Sequence, residues 1–128
     1  MTKRILVAED EPLVRMITVR VLHEAGYEAQ GAEDGETALE LATGDEPFDL
    51  LIVDQRMPRL LGDELIERVR ERWPDQPVIR LLGNPDDADA RPVDVTCVTL
   101  RKPYTPPQLL AAVEACLNEG RGPGRAGS

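Results

Sequence analysis

The sequence lacks the features that mark secreted, disulfide-bonded and membrane-spanning proteins. It contains two cysteines without CxxC spacing, both in apolar patterns, so we expect Cys97 and Cys116 to be reduced core residues and not a disulfide. Apolar runs reach only about four to six residues, far short of the roughly 20 needed to cross a bilayer, and acids follow the N-terminus too early for a signal peptide. We therefore expect a cytoplasmic protein that makes no membrane contact.

Basic residues are also fewer than acidic residues in this sequence. The 128 residues include 15 Lys and Arg against 24 Asp and Glu, which gives a net charge of -9. This charge repels nucleic acid phosphates and anionic lipids, so we expect no nucleic acid partner. The length suits one domain, and the final residues offer nothing larger than arginine to bury. We expect a domain over residues 1–118 and a disordered tail over residues 119–128.

Five short apolar blocks alternate with amphipathic segments along the chain. Four of them are nearly continuous runs of aliphatic residues, as in strands that are covered on both faces. The remaining block, residues 27–31, is more polar, so we expect it at an edge of the sheet. This alternation predicts an α/β fold in which crossover helices join parallel strands. The predicted strands span residues 5–8, 27–31, 50–53, 78–82 and 95–100.

Apolar residues at helical spacing predict four helices that follow these strands. The first is opened by Pro12 and closed by Gly26, and the last follows Thr105 and Gln108, which have the spacing of a capping box. The segment between the last two strands differs. Residues 84–94 begin with the signals of a helix start but hold only two alanines as apolar side chains before a proline breaks the pattern. We expect a turn or two of helix there, or a mobile loop.

Acidic residues and one lysine follow three of the predicted strands. Glu9 and Asp10 end the first strand. Asp54 ends the third strand, and Lys102 follows the fifth. Right-handed crossovers place the C-terminal ends of parallel strands at one edge of the sheet, so we expect these side chains to converge. Taken alone, each has a simpler interpretation as a helix cap, a solvated acid, a turn residue or a surface lysine.

Three carboxylates in one pocket repel one another unless a cation lies among them. With oxygen ligands alone and no histidine nearby, Mg²⁺ suits such a pocket better than zinc. The ion would neutralise a phosphoryl group and orient it toward Asp54, whose carboxylate can act as a nucleophile. Lys102 would then pair with a phosphoryl oxygen. We therefore predict that Asp54 is a phosphoacceptor that depends on Mg²⁺.

The same residues resemble the receiver domains of two-component response regulators, and the resemblance covers residues 3–118. Three motifs carry it: AEDEP at residues 8–12, DQRMPRLLG at residues 54–62 and KPY at residues 102–104. The resemblance implies a flavodoxin-like, doubly wound five-stranded parallel sheet with strand order 2-1-3-4-5. In this chain the fourth helix of that fold would be short or replaced by a loop.

The resemblance also implies a role for each residue of the pocket. Asp54 would accept a phosphoryl group from a phosphohistidine, and Asp10 and Asp54 would ligate Mg²⁺ directly. The backbone carbonyl of Arg56 would supply another ligand, and Glu9 would act mostly through water. The peptide bond after Lys102 would be cis, although trans is the ordinary state of such bonds.

Two positions depart from the pattern of that family. Leu82 stands where a Thr or Ser hydroxyl normally bonds the phosphoryl group, next to Gly83 in the phosphoryl-binding loop. Thr99 stands where an aromatic switch residue normally lies. Leucine donates no hydrogen bond, and a lost bond to a charged acceptor costs about 1.5 to 3 kcal/mol. We hypothesise that phosphorylation orders residues 83–95 instead of moving an aromatic side chain.

Three functions compete for such a site. The first is a monomeric, stand-alone phosphoacceptor without an output domain, which is no enzyme beyond its own phosphorylation and dephosphorylation. Its partner would be a sensor histidine kinase or a phosphotransfer protein, and the family resemblance implies that the partner binds at residues 13–17 and the loop after Lys102. The second is a pseudo-receiver that binds partners without phosphorylation. The third, a Mg²⁺-dependent hydrolase, is disfavoured because Gln55 and Arg56 follow Asp54 where a second acid is needed.

Overall fold

The computed structural model describes residues 2–83 and 96–118. The five strands described are β1 (Arg4–Ala8), β2 (Glu28–Ala32), β3 (Leu50–Asp54), β4 (Val78–Leu82) and β5 (Thr96–Arg101). They are all parallel and form one sheet in the order β2-β1-β3-β4-β5, which confirms the predicted order and places the polar strand β2 at an edge. The short helix or loop predicted for residues 84–94 and the tail predicted for residues 119–128 lie outside the described residues.

Four helices are described: α1 (Pro12–Glu24), α2 (Gly35–Ala42), α3 (Gly62–Arg72) and α4 (Pro106–Asn118). Asp34 caps α2, since its Oδ1 accepts a hydrogen bond from the N–H of Thr37 at 2.7 Å. The capping box predicted for α4 is present. The N–H of Gln108 donates to Thr105 Oγ1 at 3.2 Å, and the N–H of Thr105 donates to Gln108 Oε1 at 2.8 Å. Within the described part of the chain, no helix has the length and apolarity to cross a membrane.

The helices cover both faces of the sheet. Leu51 and Val53 of β3 pack with residues of α2 and α3, whereas Leu50 and Ile52 pack with residues of α1 and α4. Every residue of β3 is buried. Cys116 of α4 is buried in the core, as predicted. Because the faces are covered, the edge at the strand ends is where polar side chains of this fold can meet a ligand.

The strand register brings the C-terminal ends of the central strands level with one another. Ala8 of β1 lies beside Val53 of β3, and Asp54 of β3 lies beside Leu81 of β4. The residues that follow these strands, beginning with Glu9 after β1, therefore emerge at the same edge. The fold thus places the predicted pocket residues as neighbours although they are far apart in the sequence.

Candidate functional site

Lys102 joins two buried acids at the C-terminal edge of the sheet. Its Nζ donates hydrogen bonds to Asp54 Oδ2 at 2.9 Å and to Glu9 Oε1 at 3.3 Å. Its backbone N–H donates to the carbonyl of Leu82 at 2.9 Å, and the following peptide bond to Pro103 is cis, as the family resemblance implies. The ends of β1, β3 and β5 thus meet at a single ammonium group.

A third acid completes the cluster. Carboxylate oxygens of Glu9, Asp10 and Asp54 all lie within 4.8 Å of one another. Glu9 is 1% exposed and Asp54 is 4% exposed, whereas Asp10 is partly exposed. Together with Lys102, these are the four side chains that the sequence predicts to converge, and the structure brings them together. We call the three acids the acid cluster.

The charged groups of this site shift one another's pKa values. Burial, followed by the hydrogen bond to Asp54 and the charge of Asp54, raises the pKa of Glu9 from 4.5 to about 7. The ammonium of Lys102 and the N–H of Glu11 act in the opposite direction. Burial alone lowers the pKa of Lys102, but the hydrogen bonds and charges of Asp54 and Glu9 outweigh it, so that this pKa is raised. Lys102 therefore stays protonated beside the two acids.

The donor set of the acid cluster fits a hard divalent cation. Its ligand atoms are carboxylate oxygens, and these three residues bring neither the imidazole nor the thiolate that zinc sites favour. A divalent cation also relieves the repulsion among three carboxylates at this separation. The residues therefore suit Mg²⁺. Arg56, whose carbonyl the family resemblance adds to the ligands, lies beside the cluster, and its N–H donates to Asp54 Oδ1 at 3.4 Å.

The loop after Asp54 closes tightly against α3. A Cβ on Gly62 would lie 2.7 Å from the carbonyl oxygen of Asp54 and 2.8 Å from the Cα of Gln55. The N–H of Gly62 donates to the carbonyl of Gln55 at 2.9 Å, and Met57 is buried in the core. The close approach of two backbone segments explains why glycine stands at the turn into α3.

Gln55 has a structural role that the sequence analysis missed. Its side chain is buried, and its Oε1 accepts a hydrogen bond from the N–H of Asp63 at 3.0 Å. This bond satisfies one of the free N–H groups in the first turn of α3 and ties that turn to the residue next to Asp54. The sequence did contain one indication of this role, because Gln55 is a polar residue directly after a buried strand.

Arg59 ties the same loop to the start of α2. Its φ angle is 75°, and its Nη1 lies 3.0 Å from Oδ2 of Asp34, the cap of α2. The adjoining Leu60 packs on Gly35, where a Cβ would lie 2.6 Å from the Leu60 carbonyl oxygen. The sequence carried no signal for this ion pair, because its partners are 25 residues apart and meet only through the course of the loop.

The two positions that depart from the family pattern lie in different environments. Leu82 is buried, whereas Thr99 is exposed on β5. Gly83 lies under the side chain of Lys102, since a Cβ there would be 2.9 Å from Lys102 Cδ. The rest of the segment that is predicted to become ordered on phosphorylation, residues 84–95, lies outside the described residues.

An apolar groove lies beside the acid cluster, between α1 and the start of α4. Its volume is about 320 Å³, and Lys102 lies on its border. Leu13 and Met16, on the exposed side of α1, are each 61% exposed. The groove and these two residues include the surface to which the sequence analysis assigns partner binding. Its apolar lining includes Val14, Ile17, Val21, Pro103, Tyr104 and Leu109.

Five parallel strands in this order, with an acid cluster and a lysine at one edge, define a receiver domain of two-component signalling. The chain belongs to the response regulator receiver domain family, whose model matches residues 5–114. The response regulator receiver protein CpdR of Brucella abortus (strain 2308) is 36% identical over 121 residues, which cover 90% of this chain and 97% of CpdR. The transcriptional regulatory protein PdtaR of Mycobacterium tuberculosis (strain CDC 1551 / Oshkosh) is 35% identical over 121 residues. That match covers 93% of this chain but only 58% of PdtaR.

Solved structures confirm the predicted fold. A response regulator receiver domain protein from Clostridium thermocellum superimposes with a TM-score of 0.84 at 27% sequence identity, covering 93% of this chain and 97% of that chain. A CheY-like receiver domain protein from Methanospirillum hungatei JF-1 gives a TM-score of 0.80 at 26% identity, covering 93% and 96%. The predicted family and the predicted architecture are therefore both confirmed.

Proposed function

We propose that this receiver domain accepts a phosphoryl group on Asp54 from the phosphohistidine of a sensor histidine kinase or a phosphotransfer protein, with Mg²⁺ bound. One observation carries the proposal. The Asp54 carboxylate lies at a strand end, 2.9 Å from the Nζ of Lys102 and among the oxygens of Glu9 and Asp10. Phosphoryl transfer between anions depends on such positioning and on positive charge, and Lys102 supplies one of these charges.

The transfer is a displacement at phosphorus. A carboxylate oxygen of Asp54 forms a bond to phosphorus while the bond from phosphorus to the imidazole nitrogen of the donor breaks, and the imidazole leaves with the electron pair. The product is an acyl phosphate on Asp54. Lys102 pairs with a phosphoryl oxygen as a protonated amine, which its raised pKa favours.

The acid cluster would hold the magnesium ion. Asp10 and Asp54 would bind it through their carboxylates and Arg56 through its backbone carbonyl, while Glu9 would contribute through water. When bound, the ion supplies positive charge that offsets the charge of the phosphoryl oxygens. The chain itself fixes the position of the acids, since Glu9 and Asp54 are buried and both accept a hydrogen bond from Lys102.

We propose the apolar groove and the exposed side of α1 as the surface that meets the phosphodonor. Leu13 and Met16 expose apolar area next to the groove, and contact with a partner would remove it from water. Lys102 borders the groove and also contacts Asp54, so a partner seated there lies next to the phosphoacceptor. Sensor kinase CckA of Brucella abortus (strain 2308) includes a segment 36% identical to this chain, which covers 12% of that protein.

We propose further that the receiver acts in the cytoplasm as a monomer and signals through contacts with other proteins. Its net charge of -9 disfavours nucleic acid and anionic lipid as partners. Its chemistry would be limited to its own phosphorylation and dephosphorylation.

A second function, that of a pseudo-receiver, is favoured by one observation. The side chain of Leu82 is buried where the family places a hydroxyl, so it gives a phosphoryl oxygen no hydrogen bond. Such a protein would bind partners without being phosphorylated. The acid cluster and its contact with Lys102 favour the phosphoacceptor instead.

Intact mass measured after incubation with acetyl phosphate and Mg²⁺ separates the two functions. A phosphoacceptor gains the mass of one phosphoryl group, and both Asp54→Asn and removal of Mg²⁺ with EDTA prevent the gain. Asp45→Asn makes the same chemical change at an exposed aspartate and serves as the matched control. An unchanged mass of the wild-type protein would exclude the phosphoacceptor and leave the pseudo-receiver.

A further inference from the structure

Arg15 of α1 reaches back to the backbone of the acid cluster, and its contacts with the described residues include no ion pair with a carboxylate. Its Nη1 donates a hydrogen bond to the backbone carbonyl of Glu9 at 2.8 Å. That carbonyl belongs to the peptide unit that joins Glu9 to Asp10, two of the three acids. A change at Arg15 would therefore act on the position of both carboxylates together.

Other hydrogen bonds also fix the segment that contains Glu9 and Asp10. The N–H of Glu9 donates to the carbonyl of Ala32 on the edge strand β2 at 3.0 Å. The side chain of Glu9 accepts a hydrogen bond from the N–H of Glu11 at 3.2 Å and one from Lys102. Arg15 adds the bond to the carbonyl, and it is the contact that links this segment to a side chain of α1.

Gly31 on β2 lies directly against the side chain of Arg15. A Cβ on Gly31 would lie 3.0 Å from both Cγ and Cδ of Arg15. The aliphatic part of Arg15 therefore lies directly over the edge strand, and a methyl group at residue 31 would press against it.

We propose that Arg15 is a positioning residue for the magnesium site, because its guanidinium fixes the Glu9–Asp10 peptide. This inference rests on the proposed function, since it assumes that the cluster binds Mg²⁺. Groups that orient metal ligands from outside the coordination sphere typically contribute 10- to 100-fold, roughly, to metal affinity. Arg15 belongs to that class of residue, since it touches the backbone and not the ion.

Calorimetric titration of Mg²⁺ into the unphosphorylated 128-residue chain tests the proposal. We expect Arg15→Gln to raise the Mg²⁺ dissociation constant by about tenfold. Arg20→Gln is the matched control, because it removes the same charge from the same helix at an exposed residue that pairs only with Glu24 among the contacts described. It should change the constant by less than about twofold, since exposed charges are screened.

A spectroscopic measurement separates positioning from a general loss of stability. The hydrogen bond from Arg15 polarises the peptide unit whose N–H belongs to Asp10, so Arg15→Gln shifts the amide resonance of Asp10 in the metal-free protein, and Arg20→Gln does not. Arg15→Lys keeps the charge and a donor and is expected to restore part of the Mg²⁺ affinity. Gly31→Ala displaces the side chain of Arg15 without changing charge, and it should weaken Mg²⁺ binding by a smaller factor than Arg15→Gln.

The outcomes distinguish this inference from the proposed function. If the wild-type protein binds no Mg²⁺, the proposed function fails. If the wild-type protein binds Mg²⁺ and Arg15→Gln binds it equally well, the role of Arg15 is overturned while the proposed function stands. Should Arg15→Gln fail to fold, an unchanged affinity in Arg15→Met, which keeps the aliphatic part of the side chain without the guanidinium, overturns the role instead.

Discussion

The carbonyl oxygen of Asp54 lies so close to Gly62 that a Cβ on residue 62 would stand 2.7 Å from it. The N–H of Gly62 also donates to the carbonyl of Gln55 at 2.9 Å. The backbone of Asp54 is therefore packed directly on the first turn of α3. Any side chain at residue 62 would have to move backbone atoms of the site.

Gly62→Ala is expected to lower the free energy of unfolding by roughly 1 to 3 kcal/mol, because the added methyl group meets backbone that cannot rotate away. Gly44→Ala is the control, since a Cβ there meets the Leu41 carbonyl oxygen at 3.6 Å, an ordinary contact. Urea denaturation measures both variants. Equal free energies of unfolding for the two would contradict the tight packing at Gly62.

Glu9 is expected to make the metal-free protein less stable as the pH rises. Its pKa is raised from 4.5 in the unfolded chain to about 7 in the fold, so between these values the folded state binds more protons than the unfolded state. The favourable contribution of protonated Glu9 to the free energy of unfolding is complete below the lower pKa and is lost as the pH rises through the higher pKa. Glu9→Gln should remove this loss, on the order of 1 to 3 kcal/mol. Urea denaturation in EDTA at about pH 5 and about pH 8 measures the free energy of unfolding of the wild-type protein and of Glu9→Gln. If this free energy changed with pH by the same amount in both proteins, the contribution of Glu9 would be contradicted.

Magnesium should stabilise the protein more on the alkaline side of this transition. A carboxylate must lose its proton to act as a metal ligand or to hold a metal-bound water, so the proton on Glu9 competes with the ion. We expect the same Mg²⁺ concentration to raise Tm more at about pH 8 than at about pH 6, and Asp10→Asn to reduce the rise at both. A rise in Tm that is independent of pH would show that Glu9 is not coupled to the ion.

Leu82→Thr should strengthen binding of beryllofluoride, a mimic of the phosphoryl group. The new hydroxyl would lie at the end of β4, where the family places a hydrogen-bond donor to the phosphoryl group. A hydrogen bond to a charged acceptor contributes roughly 1.5 to 3 kcal/mol, so affinity should rise about tenfold or more. Leu82→Val, which has the shape of threonine without the hydroxyl, is the control. The same affinity in both variants would mean that the hydroxyl does not reach the ligand.

The parallel sheet and the acid cluster could be predicted because they depend on local patterns and one rule of topology, whereas the strand order was implied by the family resemblance. Asp54 and Lys102 each follow an apolar run, and right-handed crossovers place such ends at one edge. The bounds differ slightly, since the predicted strand at residues 27–31 is observed at Glu28–Ala32. The spacing of apolar residues predicts that a strand is present better than it predicts the residues at which the strand begins and ends.

The contacts that support the site could not be predicted in the same way. Gln55 follows Asp54 in the sequence, but its partner Asp63 is reached only after the loop has turned back. Arg59 meets Asp34 because its backbone has a φ of 75°, which the surrounding sequence does not signal. Arg15 has the pattern of an ordinary helix residue, and its bond to Glu9 depends on how α1 lies over the edge strand. Such contacts follow from loop geometry and helix placement, which hydrophobic periodicity does not encode.

The imbalance of charge at the sheet edge sets an order of events for the proposed reaction. When fully ionised, Glu9, Asp10 and Asp54 carry three negative charges against the one positive charge of Lys102, which leaves two in excess. One divalent cation brings the pocket to electroneutrality, whereas a phosphoryl donor that arrives first meets repulsion. In the proposed reaction, loading with the cation would therefore precede phosphorylation, and the supply of free magnesium would be a precondition for receiving the kinase signal.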